Sequence, residues 1–349
     1  ALTAFGLVPA ILAGIDVDRL LATIQYYGDW FKCADNFENN PGVVLGAIIG
    51  EAALAEKNKI TIIADDEWNN LAAWMEQLIA ESSGKDGKGI LPVASEPILS
   101  PSKYGNDRIF IYLRKTGTLD KLISPLIENN HPVVQLNVNS VYDLGYQFYL
   151  WEIATATACS IIGVNSYDQP DVQDAKTRTL AGIDAYKKTG QFMTDAPKYQ
   201  TDFFSIYTSQ DIEIGNAASL KEIVTQFLDR NLIRGGYVAV NGFIPRIETN
   251  IVHLTSLRKQ ILENFETSTT LGFGPRYLHS TGQLHKGGPD NGVFIIITNT
   301  PESDMQIPGE GITFGKFCMA QALGDEAALA AHGRSILRIH FTGSEINIY

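Results

Sequence analysis

The chain of 349 residues is 45% hydrophobic and 19% charged, a composition that is typical of a folded globular protein and excludes a largely disordered one. Its formal net charge of −12 argues against general nucleic-acid binding and against a polybasic contact with a membrane. No apolar run in the sequence reaches the roughly 20 residues that a membrane-spanning helix needs.

The first part of the chain alternates helical and strand patterns. Helices are predicted within residues 5–31 and over Val43–Lys57 and Trp68–Glu81, and strands over Lys59–Ala64, Gly89–Val93, Ile109–Arg114 and Val133–Val138. The run KITIIA at Lys59–Ala64 is continuous and β-branched, as in strands that are buried on both faces. The alternation predicts an α/β fold with a doubly wound parallel sheet. Asp65 and Asp66 follow this strand at its carboxyl end, where such sheets bind ligands.

The stretch from Tyr142 to Lys176 predicts two helices joined by a polar loop. The first helix is apolar on most sides and ends at Gly163, a residue type that favours helix termini. The second is predicted to begin with Asp168 as its cap and Pro170 in its first turn. Spacing alone leaves two interpretations open, a functional site at the loop or an ordinary connection between helices.

The region 187–349 forms a separate compositional block. Strands are predicted over residues 236–243, 292–298 and 335–341, and helices over residues 219–230, 255–265, 315–323 and 325–332. The stretch Gly272–Gly288, GFGPRYLHSTGQLHKGG, combines glycines with cationic and hydroxyl side chains and predicts a flexible loop that binds a phosphate or a sugar. It lacks the Walker order, and His279 and His285 lack a metal-ligand spacing. A structural glycine-rich turn is the alternative.

The run SYDQPDVQDAK at residues 166–176 resembles the second signature of the phosphoglucose isomerase family. The matching residues are Tyr167, Asp168, Gln169, Val172 and Lys176, whereas Asp171 replaces the usual Gly and Gln173 the usual Glu. The family's first signature, Gly-Gly-Arg-aromatic-Ser, is absent, which predicts that the chain is truncated at its N-terminus. The stretch Gly272–Gly288 in turn resembles the corresponding part of bifunctional transaldolase/phosphoglucose isomerase fusions.

This resemblance implies a division of the chain into three parts. Residues 1–35 correspond to the helical end of a truncated first sugar-isomerase domain, and residues 36–186 to a second sugar-isomerase domain with a doubly wound parallel sheet. Residues 187–349 correspond to the C-terminal α/β domain of the fusion enzymes.

The resemblance also implies an activity. Members of the family interconvert glucose 6-phosphate and fructose 6-phosphate through a cis-enediol, without a metal or an organic cofactor. We expect a sugar phosphate as substrate, a homodimer, and weak or no activity of the chain alone. The three scattered cysteines, Cys33, Cys159 and Cys318, fit a reduced cytoplasmic protein. A non-catalytic module that binds sugar phosphates in a regulatory protein is the alternative.

The resemblance assigns catalytic roles to three residues. Ser95-Glu96-Pro97 stands where the family has Gly-Glu-Pro, so Glu96 is the expected base, against the alternative of a solvated loop glutamate. Lys176 is expected to assist ring opening, although a lysine on a helix is most often a surface residue. The family's ring-opening histidine has no counterpart at its usual spacing, where Leu126 stands, and His131 is either that residue displaced or a plain loop histidine.

Contacts with the substrate are expected from the signature and from the glycine-rich stretch. The candidates are Gln169, Arg276, His279, His285 and Lys286.

Overall fold

The computed structural model describes residues 2–31, 37–212, 214, 219–343 and 346. Cys33 and the domain boundary predicted at residue 36 lie outside these residues. The chain forms two compact units. Unit 1 comprises Ala1–Ser83, Lys88–Ser95 and Asn106–Asp168, and unit 2 comprises Gly84–Gly87, Glu96–Gly105 and Gln169–Tyr349. The division into three domains stays a prediction.

Unit 1 contains a parallel sheet with helices between its strands. Its elements are α1 (Ala4–Leu12), α2 (Val17–Phe31), α3 (Pro41–Leu54), β1 (Lys59–Ala64), α4 (Asn69–Ser83), β2 (Leu91–Ala94), β3 (Arg108–Arg114), α5 (Asp120–Glu128), β4 (Val133–Asn137) and α6 (Leu144–Ile162). The strand order is β2-β1-β3-β4, and all three pairings are parallel. The predicted α/β fold with a doubly wound parallel sheet is confirmed.

Close packing of α3 on α6 forms part of the core of unit 1. A Cβ atom on Gly46 would lie 2.5 Å from the Ala154 carbonyl oxygen, and one on Gly50 would lie 2.8 Å from Ile161 Cβ. Small residues therefore let the two helix backbones approach each other, while the isoleucines of β1 and β3 pack beneath α3, α4 and α6. The predicted end of α6 is confirmed, since Gly163 has a left-handed φ of 71°.

Unit 2 contains a second, mixed sheet. Its elements are α7 (Val172–Thr189), β5 (Tyr199–Gln200), β6 (Phe204–Tyr207), α8 (Leu220–Asn231), β7 (Tyr237–Phe243), α9 (Glu248–Phe265), β8 (Ser268–Phe273), α10 (Gly282–Gly287), β9 (Gly292–Asn299), α11 (Phe314–Ala331) and β10 (Ser335–Phe341). The order is β5-β6-β10-β9-β7-β8, in which β7 to β10 are parallel and β6 is antiparallel to both of its neighbours. An apolar core lies between this sheet and helices α8 and α9.

Two helix predictions need correction. The helix after Gly163 begins at Val172 with Asp171 as its N-cap residue, so Pro170 is not in its first turn. Asp168 does not cap it, and its carboxylate accepts a hydrogen bond from Asn165 Nδ2 at 2.9 Å. The two helices predicted over residues 315–332 are one helix, α11. Gly324 lies inside it because α7 passes so close that a Cβ atom there would overlap the Thr179 hydroxyl.

Candidate functional site

Glu96 is buried and held by strand β8. It follows β2 after Ser95, whose φ of 50° lies in the region that favours glycine, so serine occupies a position where the resembling family has Gly. The Glu96 side chain is 8% exposed, and its Oε1 accepts hydrogen bonds from the Thr269 backbone N–H at 2.8 Å and from the Thr269 hydroxyl at 2.9 Å. Glu96 is therefore not a solvated loop glutamate.

Thr269 is fixed in turn by Arg258 of α9. The buried guanidinium donates from Nε to the Thr269 hydroxyl at 3.0 Å and from Nη2 to the Thr269 carbonyl at 2.5 Å. Among the residues that the structure describes, β8 pairs only with β7, so it is an edge strand with backbone N–H groups that point away from the sheet. One of these edge N–H groups, that of Thr269, orients the Glu96 carboxylate.

Lys176 lies on the exposed side of α7. The opposite side of this helix, with Ala175, Thr179 and Ile183, is buried and packs on α11. Gln169, which lies three residues before the first residue of α7, is also exposed. Lys176 is thus exposed to solvent, and its catalytic role stays a prediction.

The N-terminus of α7 is bound by Gln283, a residue that sequence reasoning missed. The Gln283 side chain is fully buried in α10. Its Oε1 accepts from the Asp171 backbone N–H at 3.0 Å, and its Nε2 donates to Asp171 Oδ2 at 2.6 Å and to the Gly84 carbonyl at 2.9 Å. A glutamine inside a glycine-rich stretch carries no local signal for such a role.

The stretch Gly272–Gly288 is not the flexible cationic loop that its composition predicts. It continues β8 through a short 3-10 helix into α10, and Tyr277, His285 and Lys286 in it are buried. Lys286 Nζ forms an ion pair with the fully buried Asp325 at 2.6 Å, and the Tyr277 hydroxyl donates to the same carboxylate at 2.5 Å. The charge of Lys286 is thus already compensated within unit 2.

The histidines and the arginine of this stretch differ in environment. The His285 ring packs against Tyr237, Tyr277 and Phe294. Burial, reinforced by Lys286 and Arg334, holds the pKa of His285 well below its usual range, so the imidazole is neutral. Arg276 and His279, in contrast, are exposed.

His131 belongs to unit 1, whereas the other predicted site residues belong to unit 2. It precedes β4 and is half-buried, with its ring edge-to-face against Phe110 at a centroid distance of 5.5 Å. Its backbone N–H donates to the Leu126 carbonyl at 3.0 Å, which closes the turn after α5. The role of His131 in ring opening stays a prediction.

A second carboxylate, Asp65, occupies the carboxyl ends of β1 and β3 in unit 1. Its Oδ2 accepts hydrogen bonds from the backbone N–H groups of Lys115 at 3.0 Å and of Thr116 at 2.8 Å, and from the Thr116 hydroxyl at 3.0 Å. Its Oδ1 accepts from the Thr118 hydroxyl at 3.0 Å. Asp65 thus holds the loop after β3 through hydrogen bonds. It does so at the carboxyl ends of the strands, where the sequence predicts ligand binding.

Two further properties concern the described residues as a set. Among them, no group of three or more His, Cys, Asp or Glu side chains is arranged to hold a metal ion. Within the same residues, no helix combines the length and the apolar character that crossing a membrane requires.

No protein-family model matches the chain. Among curated proteins, glucose-6-phosphate isomerase from Rubrobacter xylanophilus is 27% identical over 232 residues, which are 52% of this chain and 51% of that protein. Glucose-6-phosphate isomerase from Clostridium tetani is 30% identical over 230 residues, or 54% of this chain and 48% of that protein. The chain spans about half the length of the curated relatives it matches.

A solved structure of glucose-6-phosphate isomerase from Chlamydia trachomatis aligns with 89% of this chain and 65% of its own, at 13% identity and a TM-score of 0.28. Similarity at this level does not establish a shared fold. The fold class of this chain rests on its own strands and helices.

Proposed function

We propose that the chain is part of an isomerase that interconverts glucose 6-phosphate and fructose 6-phosphate. The observation that carries this proposal is the similarity to curated glucose-6-phosphate isomerases. The motif SYDQPDVQDAK, which resembles a signature of that family, supports it.

Glu96 is the base in this proposal. Isomerisation moves a proton from C2 of the open-chain aldose to C1 through a cis-enediol, while a hydroxyl proton passes from O2 to O1. The transfer needs a carboxylate held rigidly beside both carbons. Glu96 is suited to this because it is buried and two donors from Thr269 fix the orientation of its carboxylate.

Ring opening and substrate contact are assigned to other residues. We assign ring opening to Lys176 and His131, and contacts with the sugar or its phosphate to Gln169, Arg276 and His279. The sequence predicts that His285 and Lys286 bind substrate, but both are buried and Lys286 is paired with Asp325. A direct substrate contact from Lys286 would require this ion pair to open, so we give the two residues a structural role.

The wider setting follows from the same resemblance. We propose a cytoplasmic enzyme of glycolysis, gluconeogenesis and the pentose phosphate pathway that acts as a homodimer. Proton transfer through an enediol needs acid and base groups only, so no metal or organic cofactor is invoked. The likeness of Gly272–Gly288 to the fusion enzymes supports a transaldolase domain in the same protein.

The test is a coupled assay that converts fructose 6-phosphate to glucose 6-phosphate, applied to the full-length gene product and to its Glu96→Gln variant. Glutamine keeps the shape and one acceptor oxygen but cannot take up the proton. We expect kcat to fall by about a thousandfold or more, while substrate binding and the thermal unfolding midpoint stay close to those of the parent protein.

Two results would contradict the proposal. A variant with near-normal kcat would show that Glu96 is not the base. A parent protein that binds the sugar phosphate but shows no turnover would favour the non-catalytic binding module.

A further inference from the structure

We propose that residues Ser268–Gly287, which run from β8 to α10 and are called the bracing segment below, position both groups that we assign to catalysis in unit 2. Through Thr269 the segment holds Glu96, and through Gln283 it holds the start of the helix that carries Lys176. The inference rests on the proposed function. The glycine-rich stretch then supports the catalytic groups, in addition to the substrate contacts that we assign to Arg276 and His279.

The first contact, between Thr269 and Glu96, is made by the edge strand β8. The Thr269 N–H and hydroxyl both donate to one oxygen of Glu96, so the carboxylate is held by two donors at 2.8 and 2.9 Å. The hydroxyl also accepts from Arg258 Nε at 3.0 Å, which leaves its proton directed at Glu96. Thr269 and Arg258 are buried, so this chain of hydrogen bonds is shielded from competition by water.

The second contact uses both N–H donors and the carbonyl oxygen of the Gln283 amide in α10. Gln283 accepts from the Asp171 N–H and donates to the Asp171 carboxylate and to the Gly84 carbonyl. A glutamate at this position would set a second carboxylate against Asp171 and lose both donors. The neighbouring Gly287 has no room for a side chain, because a Cβ atom there would overlap the Asp171 carboxylate.

Asp171 is the N-cap residue of α7, and Lys176 lies in the second turn of the same helix. Fixing both the N–H and the carboxylate of the cap residue fixes the rotation and the axial position of the first turns. The direction in which the Lys176 side chain leaves the helix therefore depends on Gln283, which is a positioning residue.

The bracing segment is itself anchored in the interior of unit 2. Asp325 of α11 binds both Tyr277 and Lys286, at 2.5 and 2.6 Å. Arg334 donates to the carbonyls of His285 and Lys286 at 3.0 and 2.7 Å. A buried and charge-compensated support of this kind suits the positioning of catalytic groups, which needs rigidity more than solvent access.

The first test is the Thr269→Val variant in the full-length protein, assayed for isomerase turnover. Valine keeps the shape and the backbone N–H but removes the hydroxyl donor. We expect kcat to fall by about tenfold with KM changed less than about twofold, and Thr269→Ser to restore most of the loss. The matched control is Thr267→Val, because the Thr267 hydroxyl is also buried but donates to the Gly236 carbonyl at 3.0 Å and not to Glu96.

Equal loss of kcat in the Thr267 and Thr269 variants would overturn this part of the proposal, since it would show a general loss of stability. Unchanged kcat in Thr269→Val would overturn it as well.

The second test is Gln283→Leu, with the same substitution at the exposed Gln226 of α8 as control. Leucine fills a similar volume and removes all three hydrogen bonds. We expect the Asp171 amide to exchange its hydrogen at least tenfold faster in native-state exchange, and kcat to fall by a similar factor. The Gln226 variant is expected to change neither quantity.

Protection of the Asp171 amide that survives in Gln283→Leu would overturn the assignment of Gln283. The proposed function is tested separately, by the isomerase turnover of the parent protein and of its Glu96→Gln variant. An inactive parent overturns both proposals, whereas an active parent with Glu96-dependent turnover and unaffected Thr269 and Gln283 variants overturns only this one.

Discussion

Two carboxylates that follow parallel strands illustrate how local environment separates residues of the same chemical type. Glu96 comes after β2 and binds a threonine of an edge strand, while Asp65 comes directly after β1 and binds the loop after β3. Desolvation alone would raise the pKa of Asp65, but hydrogen bonds from Thr116, Lys115 and Thr118 together outweigh it and lower this pKa below its ordinary value. Asp65 therefore stays charged and acts as an internal anion that organises a loop.

The lowered pKa of Asp65 predicts how stability depends on pH. Its contribution is fully present above the ordinary value of 3.8 and is lost as the pH falls through the folded-state pKa. We expect Asp65→Asn to lower the free energy of unfolding by about 1–3 kcal/mol at pH 7, because charged hydrogen bonds are lost. The measurement is urea unfolding of the variant and the parent at pH 7 and at successively lower pH.

The difference between the Asp65 variant and the parent should shrink as the pH drops below the ordinary value. Glu51→Gln, at an exposed position of α3, is the control and should show a small difference at every pH. A difference for Asp65→Asn that stays constant down to the acid limit of folding would show that charge is not the source of its effect.

At the scale of elements, the sequence predicts best where one periodic pattern decides the structure. The run KITIIA forms β1 with the predicted bounds, because a continuous β-branched run suits a strand that is covered on both faces. The strand predicted over residues 335–341 likewise forms β10 with its predicted bounds. Gly163 ends α6 as predicted, since its left-handed conformation is readily adopted by glycine. Gly324 suggests a break between two helices in the sequence, but it lies inside α11. The reason for glycine there is a tertiary contact, the close approach of α7 to α11.

The structure of the glycine-rich stretch Gly272–Gly288 could not be predicted from its sequence. Its composition shows a cluster of polar and cationic groups, but the buried partners of those groups lie far along the chain, as Asp325 does for Lys286. Gln283 likewise binds Asp171 across 112 positions of sequence. The resemblance to a known family singles out Glu96 and Lys176 as candidates, whereas the residues that hold them, Thr269 and Gln283, become visible only with the fold.

At the scale of the molecule, the two units share one order of parallel strands. In unit 1 the order is β2-β1-β3-β4, and the parallel strands of unit 2 follow in the corresponding order β8-β7-β9-β10. The bracing segment begins with β8, and Glu96, which comes two residues after the end of β2, belongs with this segment to unit 2. The proposed base and the segment that supports it are therefore parts of the same unit.

The net charge of the whole chain, −12, predicts how the proposed reaction responds to salt. A sugar phosphate is an anion, so the long-range field of the protein repels it, and the pairing of Lys286 with Asp325 removes one cation that could offset this field. Added salt screens the repulsion. We therefore expect kcat/KM for fructose 6-phosphate to rise by about two- to tenfold between low and physiological ionic strength. Potassium chloride is the salt to use, because sulfate or phosphate would compete for the substrate's phosphate site. A kcat/KM that falls with potassium chloride would show instead that local cations such as the exposed Arg276 dominate capture of the substrate.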